Sequence, residues 1–203
     1  METVEASDYI FKVIAVGDAS VGKTSLTLRF ATDKFESDYK LTLGLNLTNK
    51  NVKINDDGSE MLISLSIWDT GGQKSFAPLL PMYYKGALGA LIIYDLTKRQ
   101  TFDAVDEWVE DVKKHCEEIP IVIIGNKNDL TDQIKVTTQE GTEKVNQIKT
   151  EWKNDVFFFE TSAKEDVKVN ESFKTLASTI LKIVKEEEDV EEPTFGTQVR
   201  GTN

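Results

Sequence analysis

The chain has 203 residues, of which 39% are hydrophobic and 29% charged, and its formal net charge is -11 at pH 7. These totals are typical of one globular domain, and the acidic charge disfavours nucleic acid and anionic membranes as partners because both would repel it. Cys116 is the only cysteine, which excludes an internal disulfide and a cysteine-rich metal site. No apolar run approaches a membrane span and the N-terminus is polar, so we expect a cytoplasmic protein. We also expect a monomer.

The first part of the chain has the pattern of a strand, a helix and then two paired strands. The apolar, β-branched run 10–16 predicts a buried strand, and residues 22–31 predict the first helix. Two alternating segments, 43–54 and 61–68, flank Asn55-Asp56-Asp57-Gly58, whose aspartate and glycine mark a hairpin turn. They predict the one antiparallel pair of strands.

The remainder alternates between strands and helices. Strands are predicted over 88–94, 119–124 and 156–159, and helices over 101–114, 137–152 and 166–185. A capping box, Thr137-Thr138-Gln139-Glu140, begins the second of these helices. The order predicts an α/β fold with a six-stranded, mostly parallel sheet, one antiparallel strand and five flanking helices. We expect a loose N-terminus over 1–8, one domain over 9–185 and a disordered acidic tail over 186–203.

The stretch Gly17-Asp18-Ala19-Ser20-Val21-Gly22-Lys23-Thr24 lies between the first strand and the first helix, the context that the pattern G-x-x-x-x-G-K-[ST] requires. Backbone N–H groups of such a loop cradle phosphate oxygens, Lys23 reaches the β- and γ-phosphates, and the Thr24 hydroxyl holds Mg²⁺. A surface turn could match by chance, but the flanking elements favour phosphate binding. The predicted contacts are Asp18, Ala19, Ser20, Val21, Gly22, Lys23, Thr24 and Ser25.

A second motif, Trp68-Asp69-Thr70-Gly71-Gly72-Gln73, follows a predicted strand. Asp69 stands where a carboxylate can hold Mg²⁺ opposite Thr24, and the Gly72 N–H can bind a γ-phosphate oxygen. Gln73 is placed to orient an attacking water. Alone, this stretch could be a strand-end turn; after a phosphate loop it favours a nucleoside triphosphatase.

Two further stretches predict a guanine site. In Asn126-Lys127-Asn128-Asp129, the Asp129 carboxylate can accept hydrogen bonds from guanine N1–H and the 2-amino group together, whereas ATP would present an unpaired acceptor. The Lys127 stem can lie along the base, and Asn126 can tie neighbouring loops together. In Glu160-Thr161-Ser162-Ala163-Lys164, the Ala163 N–H could donate to guanine O6. Each stretch alone could be an ordinary polar loop.

The four motifs together resemble the Ras superfamily of small GTPases over about residues 9–185. The stretches Asp8-Tyr9-Ile10-Phe11-Lys12, Tyr83-Tyr84-Lys85-Gly86-Ala87 and Tyr94-Asp95-Leu96-Thr97 are similar to the Rab family. The resemblance implies a P-loop G-domain and a molecular switch that hydrolyses GTP slowly to GDP and phosphate, in a Rab-like trafficking or signalling role.

The resemblance also implies residue roles. Thr42 would bind Mg²⁺ and the γ-phosphate in the GTP state, Phe35 would lie near the guanine, and Tyr39 would close over the phosphates. The implied catalytic residues are Gln73, Lys23 and Thr42, the metal ligands are Thr24, Thr42 and Asp69, and the remaining nucleotide contacts are Gly72, Asn126, Lys127, Asp129, Ser162, Ala163 and Lys164. An exchange factor, a GTPase-activating protein and effectors would bind the switch regions 35–47 and 69–84.

The chain departs from the Rab pattern at four places, one of which is the pair Gly71-Gly72 in place of Ala-Gly. Leu43-Gly44-Leu45-Asn46-Leu47 stands where Rabs usually read Ile-Gly-Val-Asp-Phe, which changes the effector surface. Ala19 adds a methyl group beside the γ-phosphate position. No cysteine follows Cys116, so we expect no lipid anchor and no membrane association from this sequence.

Two alternatives remain. A GTP-binding scaffold with little or no turnover would keep the fold, but Gln73 and Thr42 argue against it. An ATP-using P-loop enzyme such as a small kinase would transfer phosphate to a second substrate, but Asp129 argues against it. We interpret Trp108 and Trp152 as core residues rather than binding residues.

Overall fold

The computed structural model describes residues 6–36, 42, 44–72, 78–116 and 118–191. Its strands are β1 (Tyr9–Val16), β2 (Leu45–Asp56), β3 (Ser59–Thr70), β4 (Gly89–Asp95), β5 (Ile121–Asn126) and β6 (Val156–Thr161). They form one six-stranded sheet in the order β2-β3-β1-β4-β5-β6. In the described part of the chain β2 pairs antiparallel with β3 and every other pair is parallel, which confirms the predicted sheet.

The helices are α1 (Lys23–Thr32), α2 (Leu80–Tyr84), α3 (Arg99–Asp103), α4 (Val105–His115), α5 (Thr138–Lys149) and α6 (Val169–Glu191), with a short 3₁₀ helix at Thr131–Gln133. With α3 and α4 taken as one broken helix, the described residues contain five α-helices, the predicted number, and α2 is the one for which the sequence patterns predict no range. The predicted capping box is confirmed at α5, where Thr137 and Glu140 bond reciprocally. None of the described helices combines the length and apolar character that crossing a membrane requires.

The core lies on both faces of the sheet. Every residue of β4 and β5 is buried, as expected for central parallel strands covered by helices. On one face α1 packs against α6, with the Phe30 and Phe173 rings stacked at a centroid distance of 4.0 Å. The other face is covered by α2 to α5. The carboxyl ends of the parallel strands therefore meet at one edge, where ligands bind in such sheets.

Three predicted helices have different bounds in the structure, and one of them, α5, ends at Lys149 rather than at about Trp152. The helix predicted over 101–114 begins at Arg99 and is interrupted by a turn at Ala104. The helix predicted from Asp166 begins at Val169, because Asp166 and Lys168 have φ of 58° and 53°, a left-handed conformation that a helix cannot contain.

The structure also differs from the prediction at both ends of the domain. Asp8 is not loose: its N–H donates to Leu62 O at 2.8 Å, and its carboxylate accepts from Leu62 N at 2.6 Å. The disorder predicted for 186–203 is wrong for 186–191, where α6 continues and the Tyr9 hydroxyl donates to Glu188 Oε2 at 3.0 Å. Residues 1–5 and 192–203 lie outside the described residues.

Candidate functional site

The phosphate loop joins the end of β1 to the start of α1, as the motif predicts. Gly22 precedes the helix at φ 99°, and a Cβ there would lie 2.4 Å from Asn126 Nδ2, so the position requires glycine. Lys23 is buried, and its Nζ donates to Gly17 O and Asp18 O at 2.8 Å each. Burial lowers the pKa of Lys23 to about 8, against the opposing charges of Asp69 and Asp18, so the ammonium form predominates at pH 7.

Three oxygen-bearing side chains converge beside this loop. Thr24 Oγ1 donates to Asp69 Oδ2 at 2.6 Å and shares a short hydrogen bond with Thr42 Oγ1. Asp69 is fully buried, and its Oδ1 has no hydrogen-bond partner among the described residues. Burial raises the pKa of Asp69 to about 6, although the Thr24 hydrogen bond and Lys23 lower it. A nearby cation would stabilise this carboxylate.

The composition of this cluster fits Mg²⁺. Among the described residues, no group of three or more His, Cys, Asp or Glu side chains is suited to a metal ion. One carboxylate with two hydroxyls therefore provides the hard oxygen ligands here. Mg²⁺ is commonly bound in this way, by one or two carboxylates together with water and substrate phosphates.

Gly72 packs directly on the phosphate loop. A Cβ at Gly72 would lie 2.5 Å from the carbonyl carbon of Asp18 and 2.6 Å from Ala19 N, so no side chain fits. The preceding Gly71 N–H donates to Gly44 O at 2.8 Å, which links two segments of the predicted switch regions. Gln73 and Tyr39, which the sequence assigns to water positioning and phosphate closure, lie outside the described residues.

A separate cavity of about 380 Å³ contains the predicted base-binding residues. Its lining includes Ser20, Gly22, Ser25, Phe35, Asn126, Lys127, Asp129, Ala163 and Lys164. The Ser162 hydroxyl donates to Asp129 Oδ1 at 2.6 Å and so fixes the orientation of the carboxylate. Carboxylate oxygens have several acceptor positions, so Asp129 retains capacity for a ligand.

Asn126 and Lys127 hold three loops together. Asn126 Nδ2 donates to Val21 O at 3.0 Å, while its Oδ1 accepts from Thr161 Oγ1 at 3.1 Å and from the Ala163 N–H at 3.4 Å. Lys127 Nζ donates to Ser20 O at 2.9 Å and to a second carboxylate described below. The sequence predicts that the Ala163 N–H faces guanine O6. In the structure this N–H instead points toward Asn126 Oδ1 and makes a long hydrogen bond with it.

Sequence reasoning gave no role to three residues that support this site. Asp95 is fully buried and accepts from Lys127 Nζ at 2.6 Å; its place at the carboxyl end of β4 was the available signal. Arg29 donates from α1 to Ala163 O at 2.7 Å and to the next carbonyl at 2.9 Å, with no motif to reveal it. Trp108, interpreted as core, is half-buried, and its indole N–H donates to Asp18 Oδ1 at 2.9 Å.

A phosphate loop with a buried lysine, set at the carboxyl edge of a mostly parallel sheet, defines an α/β P-loop nucleoside triphosphatase fold. The sequence model of the Ras family matches residues 12–182. The chain is 40% identical to Ras-related protein RABA4b of Arabidopsis thaliana over 178 residues, which are 87% of this chain and 75% of that protein. It is 39% identical to Ras-related protein Rab11C of Nicotiana tabacum over 178 residues, 87% of this chain and 76% of that protein.

A third relative extends over nearly the whole chain. Ras-related protein RGP1 of Oryza sativa subsp. japonica is 35% identical over 207 aligned residues, 99% of this chain and 87% of that protein. The chain therefore belongs to the Ras family and is Rab-like within that superfamily of small GTPases. Proteins of this family are in general GTP hydrolases that bind GTP or GDP, Mg²⁺, regulators and effectors.

Proposed function

We propose that this protein is a GTP-binding switch that hydrolyses GTP slowly to GDP and phosphate, and that partner proteins in Rab-like trafficking or signalling read its two switch conformations. The observation that carries the proposal is the meeting of Thr24, Thr42 and Asp69 beside the phosphate loop. Thr42 lies 18 residues after Thr24, outside the phosphate loop, so a ligand held at this point would connect two separate segments of the chain.

On the phosphate side, Lys23 and the loop N–H groups would bind the β- and γ-phosphates. Thr24, Thr42 and Asp69 would hold Mg²⁺, which supplies positive charge to the phosphate oxygens when bound. The buried and otherwise unpartnered Asp69 Oδ1 supports this assignment. The two buried charges would then contact the same magnesium–nucleotide complex, Lys23 through the phosphates and Asp69 through the metal ion.

On the base side, Asp129 would accept hydrogen bonds from guanine N1–H and its 2-amino group, in the orientation that Ser162 fixes. Phe35 and the stem of Lys127 line the same cavity and would contact the flat base. Adenine lacks both donors, so an adenine in this cavity would give the Asp129 carboxylate no hydrogen bond beyond the one from Ser162. Sites built around such polar pairs discriminate strongly.

For hydrolysis, the sequence assigns Gln73 to the positioning of water. None of the four sequence motifs contains an arginine, so the intrinsic rate should be slow. An arginine provided by an activating protein typically adds about 10³ to 10⁵ in rate. Regulated rather than fast turnover is the expected behaviour of a switch.

Partner binding would use the switch regions 35–47 and 69–84. Thr42 contacts Thr24, and Gly72 contacts the phosphate loop, so both regions are positioned to respond to the γ-phosphate. Their described parts also expose large apolar side chains: Leu47 is 56% exposed, and Met82 is 70% exposed. Exposed apolar groups of this kind are typical of protein-binding surfaces.

The test is single-turnover hydrolysis of GTP by the wild-type protein, Gln73→Leu and the matched control Gln147→Leu. Gln147 is exposed on α5, distant from the site. The wild type and Gln147→Leu should convert bound GTP to GDP at the same slow rate, whereas Gln73→Leu should bind GTP equally well and turn over at least about 10-fold more slowly. Equal turnover in Gln73→Leu would remove its role, and a wild type without turnover would favour the scaffold alternative.

A further inference from the structure

Trp108 connects α4 to the phosphate loop across 90 residues of sequence. Val105, Val109 and Val112 of α4 are buried against the sheet. Trp108 is half-buried, and its indole Nε1–H donates to Asp18 Oδ1 at 2.9 Å. This pairing is more specific than packing, because an indole N–H is a donor only and a carboxylate is an acceptor only.

The Asp18 carboxylate stands in an unusual place for an anion. Asp18 belongs to the phosphate loop, and its main-chain carbonyl accepts the Lys23 ammonium at 2.8 Å. A carboxylate in this loop would repel bound phosphates and compete with them for Lys23. The direction in which this carboxylate points therefore affects nucleotide affinity.

The main chain of the same residue is closely packed. Gly72 approaches Asp18 so nearly that a Cβ would lie 2.5 Å from the Asp18 carbonyl carbon. The backbone of Asp18 is thus confined by Gly72 and Lys23, and the remaining freedom lies in its side chain. The Trp108 hydrogen bond restrains that side chain.

We propose that Trp108 is a positioning residue for nucleotide binding: its indole N–H holds the Asp18 carboxylate against α4, directed away from the phosphates of the bound nucleotide. The inference rests on the proposed GTP-binding function. A neutral donor suits this task because it satisfies the carboxylate without placing a second cation beside the loop, where it would compete with Lys23 for the phosphates.

The experiment measures the release rate of a fluorescent GDP analogue from preloaded protein. Trp108→Phe removes the N–H and keeps an aromatic ring, and release should become about 10-fold faster, as expected when a hydrogen bond to a charged group is lost. The matched control is Trp152→Phe, whose indole N–H donates to the Ile119 carbonyl at 2.9 Å in the core. This control should lose stability yet release GDP within about 2-fold of the wild-type rate.

The role of the carboxylate charge is tested in a second background. Asp18→Asn keeps an acceptor oxygen and removes the charge, so adding Trp108→Phe to Asp18→Asn should change release by less than about 2-fold. Asp18→Glu provides a test that does not depend on the folding of the Trp108 variant. Its longer carboxylate cannot keep the same hydrogen bond, and release should become faster with every tryptophan in place.

Three results would overturn the inference alone, provided that wild-type protein binds GDP tightly. The first is a GDP release rate in Trp108→Phe equal to that of the wild type, and the second is the same result in Asp18→Glu. The third is equal acceleration of release by Trp108→Phe in the wild-type and Asp18→Asn backgrounds, which would assign the effect to ring packing. Wild-type protein that retains no guanine nucleotide would instead overturn the proposed function together with this inference.

Discussion

The two halves of the candidate nucleotide site are built differently. On the base side, the functional groups of Asn126, Lys127 and Asp129 are hydrogen-bonded to other protein atoms. On the phosphate side, Lys23 is a buried cation with a pKa lowered to about 8, and Asp69 is a buried carboxylate with a pKa raised to about 6. Both halves are held by hydrogen bonds within the protein, but on the phosphate side the buried carboxylate Asp69 has an oxygen with no partner among the described residues, and a nucleotide and a cation would stabilise the charges there.

This difference has a consequence for substitutions. Loss of a buried charge on the phosphate side removes the main source of phosphate affinity. Loss of one group on the base side leaves a largely intact cavity, so affinity and selectivity should fall by graded amounts. Substitutions of residues that contact neither half should affect stability alone.

Lys23→Ala is expected to have the largest effect. Nucleotide affinity should fall by at least about 10³-fold, because charge-assisted hydrogen bonds to the phosphates are lost in a buried position. Lys182→Ala, at an exposed position on α6, is the matched control and should bind normally. Equilibrium titration with a fluorescent GDP analogue measures both, and affinity of Lys23→Ala within about 10-fold of wild type would contradict the phosphate assignment.

Asp129→Asn should have the next largest effect. GTP affinity should fall by about 10²- to 10³-fold, because the amide cannot accept both guanine donors, while stability should change little since Ser162 can still donate to the side-chain oxygen. Asp132→Asn in the following exposed turn is the control. Calorimetric titration with GTP and ATP gives the selectivity, and unchanged selectivity in Asp129→Asn would place base recognition elsewhere.

Asn126→Ala should weaken both halves, because this buried side chain bonds Val21 of the phosphate loop and Thr161 and Ala163 of the base loop. The free energy of unfolding should fall by about 2–3 kcal/mol, and GDP affinity by about 10-fold. Urea denaturation and GDP titration measure the two effects. The exposed Asn146→Ala on α5 serves as control, and a loss of stability without any loss of affinity would show that the halves are independent.

Glu140→Gln should have the smallest effect, confined to stability. The Thr137 N–H, Arg99 and the Thr137 hydroxyl lower the pKa of Glu140 to about 2, so its stabilising contribution is present above its ordinary pKa near 4.5 and is lost as the pH falls toward 2. The melting temperature of wild type should exceed that of Glu140→Gln at pH 7, and the difference should shrink at pH 3. A constant difference would contradict the linkage, and GDP affinity at pH 7 should not change.

Local patterns predicted most of the fold. The strands and the Thr137 capping box follow from residues close together in sequence, and the structure confirms them. The break at Ala104 could not be predicted, because alanine is the best helix former. The continuation of α6 to Glu191 was also missed, because its anchoring contact joins Tyr9 to Glu188 across 179 residues.

The candidate site could likewise be predicted only where it depends on local motifs. The motifs predicted that Thr24 and Asp69 meet, and the structure places them in hydrogen-bonding contact. Their roles in binding, and those of Gln73 and Tyr39, stay predictions. The supports of the site, Trp108 with Asp18 and Asp95 with Lys127, depend on tertiary contacts between distant segments, which neither periodicity nor a motif reports.

The most direct test of the central claim is competition between GTP and ATP for wild-type protein loaded with a fluorescent guanine nucleotide in the presence of Mg²⁺. GTP and GDP should displace the fluorescent nucleotide at concentrations at least about 10³-fold lower than ATP, because adenine offers the Asp129 carboxylate neither of the two donors that guanine offers. Displacement by ATP at the same concentration as GTP, or no binding of the guanine nucleotide, would contradict the account of this protein as a GTP-binding switch.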